Sequence, residues 1–238
     1  MTEGSYRDGM RAMMPLMPAI VAFGVSFGVL ARAAGIDALA AMVMSATTFA
    51  GSAQFAVVSV LGAGGTAAAA IGAAVLLNAR YVPMAFAAAG AFRGGALRRL
   101  LEAQLLVDES WALSSREGGF DRRVLVGAGG LLYVGWNAGT AAGVLAGDSL
   151  TDPATLGLDA AFPALFLALL APMLRSDADR TPLAAAIVGA AIARVLTPVT
   201  PAGVPVIAAT AACLLGFTRP RRPSPKRASA PRAQEARS

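Results

Sequence analysis

Residues 67–92 read AAAAIGAAVLLNARYVPMAFAAAGAF, and this stretch decides the class of fold. It is long enough to cross the hydrocarbon core of a bilayer, which takes about 20 residues of apolar helix. Asn78 and Arg80 lie near its middle. A guanidinium at that depth costs at least about 2.5–3.5 kcal/mol on insertion scales, so it requires a partner, a water-filled cavity or a function. The stretch therefore predicts a membrane protein that handles something polar or charged.

The composition of the whole chain agrees with that prediction. Of its 238 residues, 56% are hydrophobic and only 14% are charged, whereas soluble domains have about 25% charged residues. The chain has one cysteine, Cys213, and no histidine, which excludes a disulfide framework, histidine metal sites and Ser-His-Asp hydrolysis. We therefore expect no metal, no cofactor and no enzymatic activity. The net charge of +6 comes from loops and the tail, so we expect no nucleic-acid binding.

Seven apolar segments predict an all-α, polytopic membrane protein with about seven transmembrane segments, some of them broken or short. Residues 1–217 would form one transporter domain. The last two segments are short and flanked by proline. The predicted segments are residues 13–31, 38–61, 67–92, 124–146, 156–174, 182–199 and 202–217.

Basic residues cluster in three places, namely 93–123, 175–181 and the tail 218–238. Because cytoplasmic loops are enriched in Lys and Arg, we expect a multi-pass inner-membrane protein with a cytoplasmic C-terminus. Seven crossings would put the N-terminus outside. A re-entrant 38–61 or 67–92 would put it inside instead. The tail is rich in Pro, Ser, Ala and Arg, which predicts a disordered cytoplasmic segment that contacts anionic lipid.

The loop 93–123 has leucines at helical spacing between Leu97 and Leu106. This spacing predicts an amphipathic helix on the cytoplasmic surface of the membrane. Asp108 and Glu109 follow in the same loop. By default such a pair is a solvated charge cluster.

Small and hydroxyl residues fill the middle of the second segment, where 45–55 reads SATTFAGSAQF. Gly51, Ser52 and Gln54 fit a broken helix whose freed backbone groups bind a ligand. Close helix packing is the alternative, because small residues also permit it.

Arg80 is the strongest candidate for a substrate-binding residue. Asn78 beside it favours a polar pocket, and Pro83 frees the carbonyl of Ala79 one turn earlier. The alternative is a structural arginine that donates to backbone carbonyls. Asp159 and Arg194 would both lie near the outer side of the membrane, either as a static ion pair or as one that breaks during transport.

Span four carries glycines at strict four-residue spacing, which predicts a smooth face for tight helix contact. Trp136 and Asn137 lie next to that face and could reach a cavity. The glycines are Gly135, Gly139, Gly143 and Gly147.

At these segments the chain resembles the AzlC family, the large subunits of two-component branched-chain amino acid exporters. The stretches that carry the resemblance keep their order over most of residues 13–217. Tyr81 stands where the family often has histidine. The stretches are Pro18–Gly28 (PAIVAFGVSFG), Phe49–Phe55 (FAGSAQF), Asn78–Tyr81 (NARY), Val107–Ser110 (VDES) and Leu156–Asp159 (LGLD).

The resemblance implies export of valine, leucine, isoleucine and sometimes methionine, together with a small hydrophobic AzlD-like subunit. It also makes Asp108 and Glu109 a family motif that could close an inner gate or contact the partner. The residues are consistent with an amino-acid substrate. A zwitterion needs a cation such as Arg80 for its carboxylate, polar or carboxylate groups for its ammonium, and an apolar pocket for its side chain. Transport would be secondary, with Asp159 as a candidate proton carrier. A passive facilitator and a non-transporting scaffold are the alternatives.

Overall fold

The computed structural model describes residues 4–116, 119–147, 167, 181–200 and 204–212. The fold is that of a helical membrane protein, as the sequence predicts. Most of the predicted segment 156–174, its residue Asp159 and the tail 218–238 lie outside the described residues. The α-helices are α1 (Tyr6–Met13), α2 (Met17–Ala33), α3 (Ala38–Thr48), α4 (Gly51–Gly62), α5 (Ala67–Asn78), α6 (Tyr81–Ala88), α7 (Ala96–Ala103), α8 (Asp108–Ser114), α9 (Arg122–Gly147), α10 (Thr181–Leu196) and α11 (Val204–Ala209).

Two of the described helical stretches are long and apolar enough to cross a bilayer. They are Tyr6–Ala33, which joins α1 and α2 through a short 3₁₀ turn, and Ala67–Ala91, which joins α5 and α6. The first begins seven residues before the predicted span 13–31. Its start is fixed by a capping box, in which Ser5 accepts from the Asp8 amide and the Asp8 carboxylate accepts from the Ser5 amide.

Helices α2 and α9 pack so closely that only glycine fits at their contact. A Cβ atom at Gly24 would lie 2.6 Å from the carbonyl oxygen of Trp136, and one at Gly139 would lie 2.5 Å from that of Val21. A Cβ at Gly143 would collide with the backbone of Val25. Gly139 and Gly143 of α9 therefore lie directly on the backbone of α2, whereas Gly135 faces the Met17 side chain and Gly147 the Arg32 side chain.

The same contacts fix the direction of the two helices. Gly9 of α1 lies against Ala128, Gly24 against Gly139, and Gly28 against Val144. Residue numbers rise together along both helices, so α1–α2 and α9 are parallel. If each of the first four predicted segments crossed a membrane, the first and the fourth would be antiparallel. One of the segments between them must therefore begin and end at the same end of the molecule.

The second predicted segment is the one that returns. Helix α3 runs antiparallel to α9, because Ser45 Oγ lies 2.9 Å from Thr140 Oγ1 and the rings of Phe49 and Tyr133 are 4.8 Å apart. Helix α4 then runs back along α2 until Gly62 reaches Ala34. The α3–α4 hairpin thus begins and ends at the same end of the molecule. This geometry corresponds to the re-entrant alternative for 38–61.

The tip of the α3–α4 hairpin is a sharp break at Phe49 and Ala50. Phe49 has a φ of 40°, in the left-handed region that bulky residues rarely adopt. The carbonyls at the end of α3 are satisfied from outside the hairpin, since Gln104 Nε2 donates to Thr47 O at 2.7 Å and Tyr133 Oη donates to Ala46 O at 3.0 Å. The predicted break is therefore present.

The loop 93–123 differs from the single amphipathic helix that the sequence predicts. Helix α7 ends at Ala103, and the chain turns inward so that Leu106 packs against Ala88 and Leu125. After α8, a hairpin of two-residue strands pairs Ser115–Arg116 with Gly119–Phe120, and among the described residues it is the exception to the all-helical prediction. The exposed leucines of α7 are Leu97, Leu100 and Leu101.

Glu102 holds this loop against the first turn of α9. Its carboxylate accepts two hydrogen bonds from the Arg122 guanidinium and one from Arg98 Nε at 2.9 Å. These bonds, from Arg122 first, hold the pKa of Glu102 below its usual range. The carboxylate is therefore charged at neutral pH, and the loop stays fixed beside the N-terminal end of α1.

Candidate functional site

A cavity of about 180 Å³ lies where the tip of the α3–α4 hairpin meets four other parts of the chain. A cavity needs only about 10–15 Å³ to hold one water molecule, so this one has room for a small organic molecule. Its walls are mostly apolar, with the polar groups gathered on one side. The lining residues are Leu16, Ala19, Ile20, Phe23, Phe49, Gly51, Ser52, Arg80, Tyr81, Val107, Asp108, Glu109, Leu132 and Trp136.

Arg80 reaches this cavity from the turn between α5 and α6. Its Nη2 lies 2.7 Å from Asp108 Oδ2 and donates to Ser52 Oγ at 2.8 Å. Its guanidinium carbon lies 5.2 Å from the centre of the Tyr81 ring, within cation–π range. Nε of Arg80 has no hydrogen-bond partner among the described residues. The alternative in which Arg80 donates to backbone carbonyls is therefore not the arrangement seen here.

The N-terminus of α4 points its first amide groups toward the same region. The first amides of a helix have no partner within it, and the helix dipole gives this end a partial positive charge. Gly51 and Ser52, the first two residues of α4, both line the cavity. Trp136 closes the cavity with a side chain that is only 6% exposed, and its Nε1 lacks a described hydrogen-bond partner. The site thus combines the Arg80 cation, the N-terminal end of α4 and the carboxylates of Asp108 and Glu109.

Gly51 has a second role in bringing these groups together. A Cβ atom at this position would lie 3.0 Å from the Trp136 ring. The missing side chain therefore lets the helix terminus approach the indole, which in turn packs at 6.2 Å against the rings of Phe27 and Phe55.

Two of the predicted binding residues lie just outside the Arg80 cavity. Gln54 is fully buried, and its Oε1 accepts from the Ala50 amide at 3.2 Å, so it supports the break in the hairpin. Asn78 lines a second cavity of about 620 Å³ between α3 and α5. Its Oδ1 has no partner among the described residues.

The other sequence predictions have mixed outcomes. Pro83 does remove a hydrogen bond, but the Ala79 carbonyl accepts from the Val82 amide at 3.2 Å and is not left free. Arg194 lies near the end of α10. Its proposed partner Asp159 is outside the described residues, so that pairing stays a prediction. Asp108 and Glu109, which were assigned to a loop from the residues alone, line the cavity.

Three further residues have contacts in this region. Trp136 forms part of the cavity wall, as the sequence indicates that it can, and Tyr133 and Gln104 donate hydrogen bonds to the end of α3. No sequence pattern singles out Tyr133 or Gln104, because the first lies in an apolar helix and the second in an amphipathic stretch.

Comparison with known proteins shows the family of the chain. A curated relative from Archaeoglobus fulgidus, described as an uncharacterized membrane protein, is 32% identical over 210 residues, covering 87% of this chain and 91% of the relative. No solved structure matches the chain. The family model for the AzlC protein matches residues 15–150, which include the hairpin, Arg80, Asp108 and the glycines of α9. The chain therefore belongs to the AzlC family, a family of membrane transporters.

Proposed function

We propose that the chain is the large subunit of a secondary exporter for branched-chain amino acids, working with a small hydrophobic AzlD-like subunit. One observation carries the proposal, namely a guanidinium beside a helix N-terminus and two carboxylates in a cavity whose remaining walls are mostly apolar. Arg80 and the first amides of α4 suit a carboxylate, because both supply donors and positive charge. Ile20, Phe23 and Leu132 supply an apolar wall for an aliphatic side chain.

The export assay feeds cells with dipeptides that contain valine, leucine, isoleucine or methionine and then measures the free amino acids inside. We expect cells that lack this chain to accumulate branched-chain amino acids, and cells that carry it with its small partner to keep them low. Unchanged intracellular levels for all four would refute the proposal. Repeating uptake in vesicles with and without a pH gradient separates a coupled exporter from a passive facilitator.

The partner is part of the same proposal. Co-purification of the full-length chain with a membrane protein of about 100 residues encoded beside it would support a two-subunit exporter. Full export activity from this chain alone would contradict the need for a partner.

We also propose that both termini are cytoplasmic. The Gly4 amide donates to the Asp121 carboxylate at 2.6 Å, so the start of α1 lies beside the basic loop 93–123. Because the α3–α4 hairpin would enter and leave on the outer side, six of the seven apolar segments would cross. Arg7 and Arg11 then fall on the cytoplasmic side, which satisfies the positive-inside rule better than seven crossings do.

Single cysteines at Ala38 and Ala63 test this topology, in a chain whose Cys213 is replaced by alanine. Both residues are exposed, one at each end of the hairpin. We expect an impermeant maleimide added to intact cells to label both. A cysteine at the exposed Ser115 is the control and should be labelled only after the membrane is opened. If Ala63 is labelled and Ala38 is protected, the second segment crosses the membrane.

A further inference from the structure

The Arg80–Asp108 ion pair occupies the position that a bound carboxylate would take. The closest contact of Asp108 with the guanidinium is the one to Nη2, at 2.7 Å, while Nε is buried and has no described partner. Arginine binds carboxylates best through two parallel N–H groups. The contact with Asp108 is therefore incomplete, and a ligand carboxylate that used both Nε and Nη2 would replace it.

If a ligand displaces Asp108 from Arg80, the Asp108 carboxylate needs a new positively charged partner. The carboxylate would be left in a largely apolar cavity, and an ion pair that loses one partner is strongly destabilised. The nearest other charged group that lines the cavity is Glu109, which is also acidic and repels it. The displaced Asp108 thus needs a new cation, and an α-amino acid carries one on the carbon next to its carboxylate.

We propose that Asp108 binds the ammonium group of the substrate, and that the Arg80–Asp108 pair is the closed form of an empty site. This inference rests on the proposed function. A zwitterion inserts between the two charges, with its carboxylate on Arg80 and Ser52 and its ammonium on Asp108 and Glu109. Each charge exchanges one partner for another, so opening leaves no charge unpaired.

The charge balance of the cavity predicts which molecules are rejected. Arg80, Asp108 and Glu109 sum to −1 when all three are ionised, and a zwitterion leaves that sum unchanged. The α-keto acid of leucine has the same carbon skeleton and carboxylate but lacks the ammonium, so it lowers the sum to −2 and leaves Asp108 unpaired. The corresponding amine, 3-methylbutylamine, lacks the carboxylate and leaves Arg80 on Asp108.

The test is equilibrium binding of leucine, its α-keto acid and 3-methylbutylamine to the full-length chain in lipid nanodiscs, purified with any small subunit that the export assay identifies. We expect the wild type to bind leucine and to bind each analogue about 10- to 150-fold more weakly, the range of one charge-assisted hydrogen bond. Asp108→Asn should weaken leucine by a similar factor and leave the α-keto acid unchanged or tighter. The control is Asp37→Asn, the same change at the exposed start of α3, where asparagine also caps the helix.

Each result that differs from these expectations contradicts a specific part of the proposal. If the wild type binds the α-keto acid as tightly as leucine, the ammonium is not recognised and the inference is wrong, whether or not Asp108→Asn folds. If Asp108→Asn weakens leucine and the α-keto acid equally, Asp108 only positions Arg80, while the proposed function stands. If the wild type binds none of the three, the proposed function falls and takes the inference with it.

Discussion

Replacing Arg80 with lysine should lower substrate affinity about 10- to 150-fold while the protein still reaches the membrane in normal amounts. Lysine keeps the charge but loses the planar fork that binds two carboxylate oxygens at once. A charge-assisted hydrogen bond is worth about 1.5–3 kcal/mol, and that value sets the range. Arg80→Ala loses the charge as well and should leave little measurable transport. The measurement is export per folded molecule, with the amount of protein in the membrane determined separately.

The matched control changes an arginine outside the cavity. Arg99 is exposed on α7, so Arg99→Lys and Arg99→Ala should both transport at the wild-type rate. Arg80 would be a structural residue, and the site assignment wrong, if Arg80→Lys transports like the wild type while Arg80→Ala only reduces the amount of folded protein.

Gly139→Leu should sharply reduce the amount of folded protein. Even a Cβ atom at Gly139 would lie 2.5 Å from the Val21 carbonyl oxygen, and a backbone atom cannot move aside as a side chain can. Overpacking a tight core costs about 1–3 kcal/mol, and leucine adds three more carbons beyond the Cβ. The measurements are the yield of monodisperse protein and its Tm in detergent.

Gly130→Leu provides the comparison on the same helix. Nothing lies within 4 Å of a Cβ atom at Gly130, so this variant should fold normally. Substrate affinity in any surviving Gly139→Leu protein should change little, because Gly139 is not among the residues that line the cavity. Equal yields and Tm values for the two variants would show that the contact between α2 and α9 is not tight at Gly139.

The broken second segment and the position of Arg80 beside a cavity could be predicted from local signals. Glycine and hydroxyl residues at 45–55 mark a helix that is easily interrupted, and an arginine among apolar residues marks a site. The direction of the second segment could not be predicted in the same way. A hairpin of two short apolar helices has the same hydropathy as a single crossing helix. What distinguishes them is the packing of α2 on α9, which depends on residues more than 100 positions apart.

The partner of Arg80 was equally hard to find from the residues alone. Asp108 lies 28 positions later, in a loop whose leucine spacing predicts one continuous helix. The helix ends early because Glu102 is held by Arg122 and Gln104 reaches the end of α3. These contacts turn the chain inward and bring α8 to the cavity. Family resemblance marked Asp108 as a motif position, but its contact with Arg80 is a result of tertiary structure.

The Arg80–Asp108 pair has a consequence for how the membrane voltage acts on transport. Moving one elementary charge through a potential of 100 mV changes the energy by about 2.3 kcal/mol. The two side chains carry opposite charges 2.7 Å apart, and a zwitterion adds no net charge between them. Under the proposed function, the passage of the amino acid then moves no net charge through the field. The voltage gives this step no direction, which must come from amino-acid concentrations or from an ion bound elsewhere.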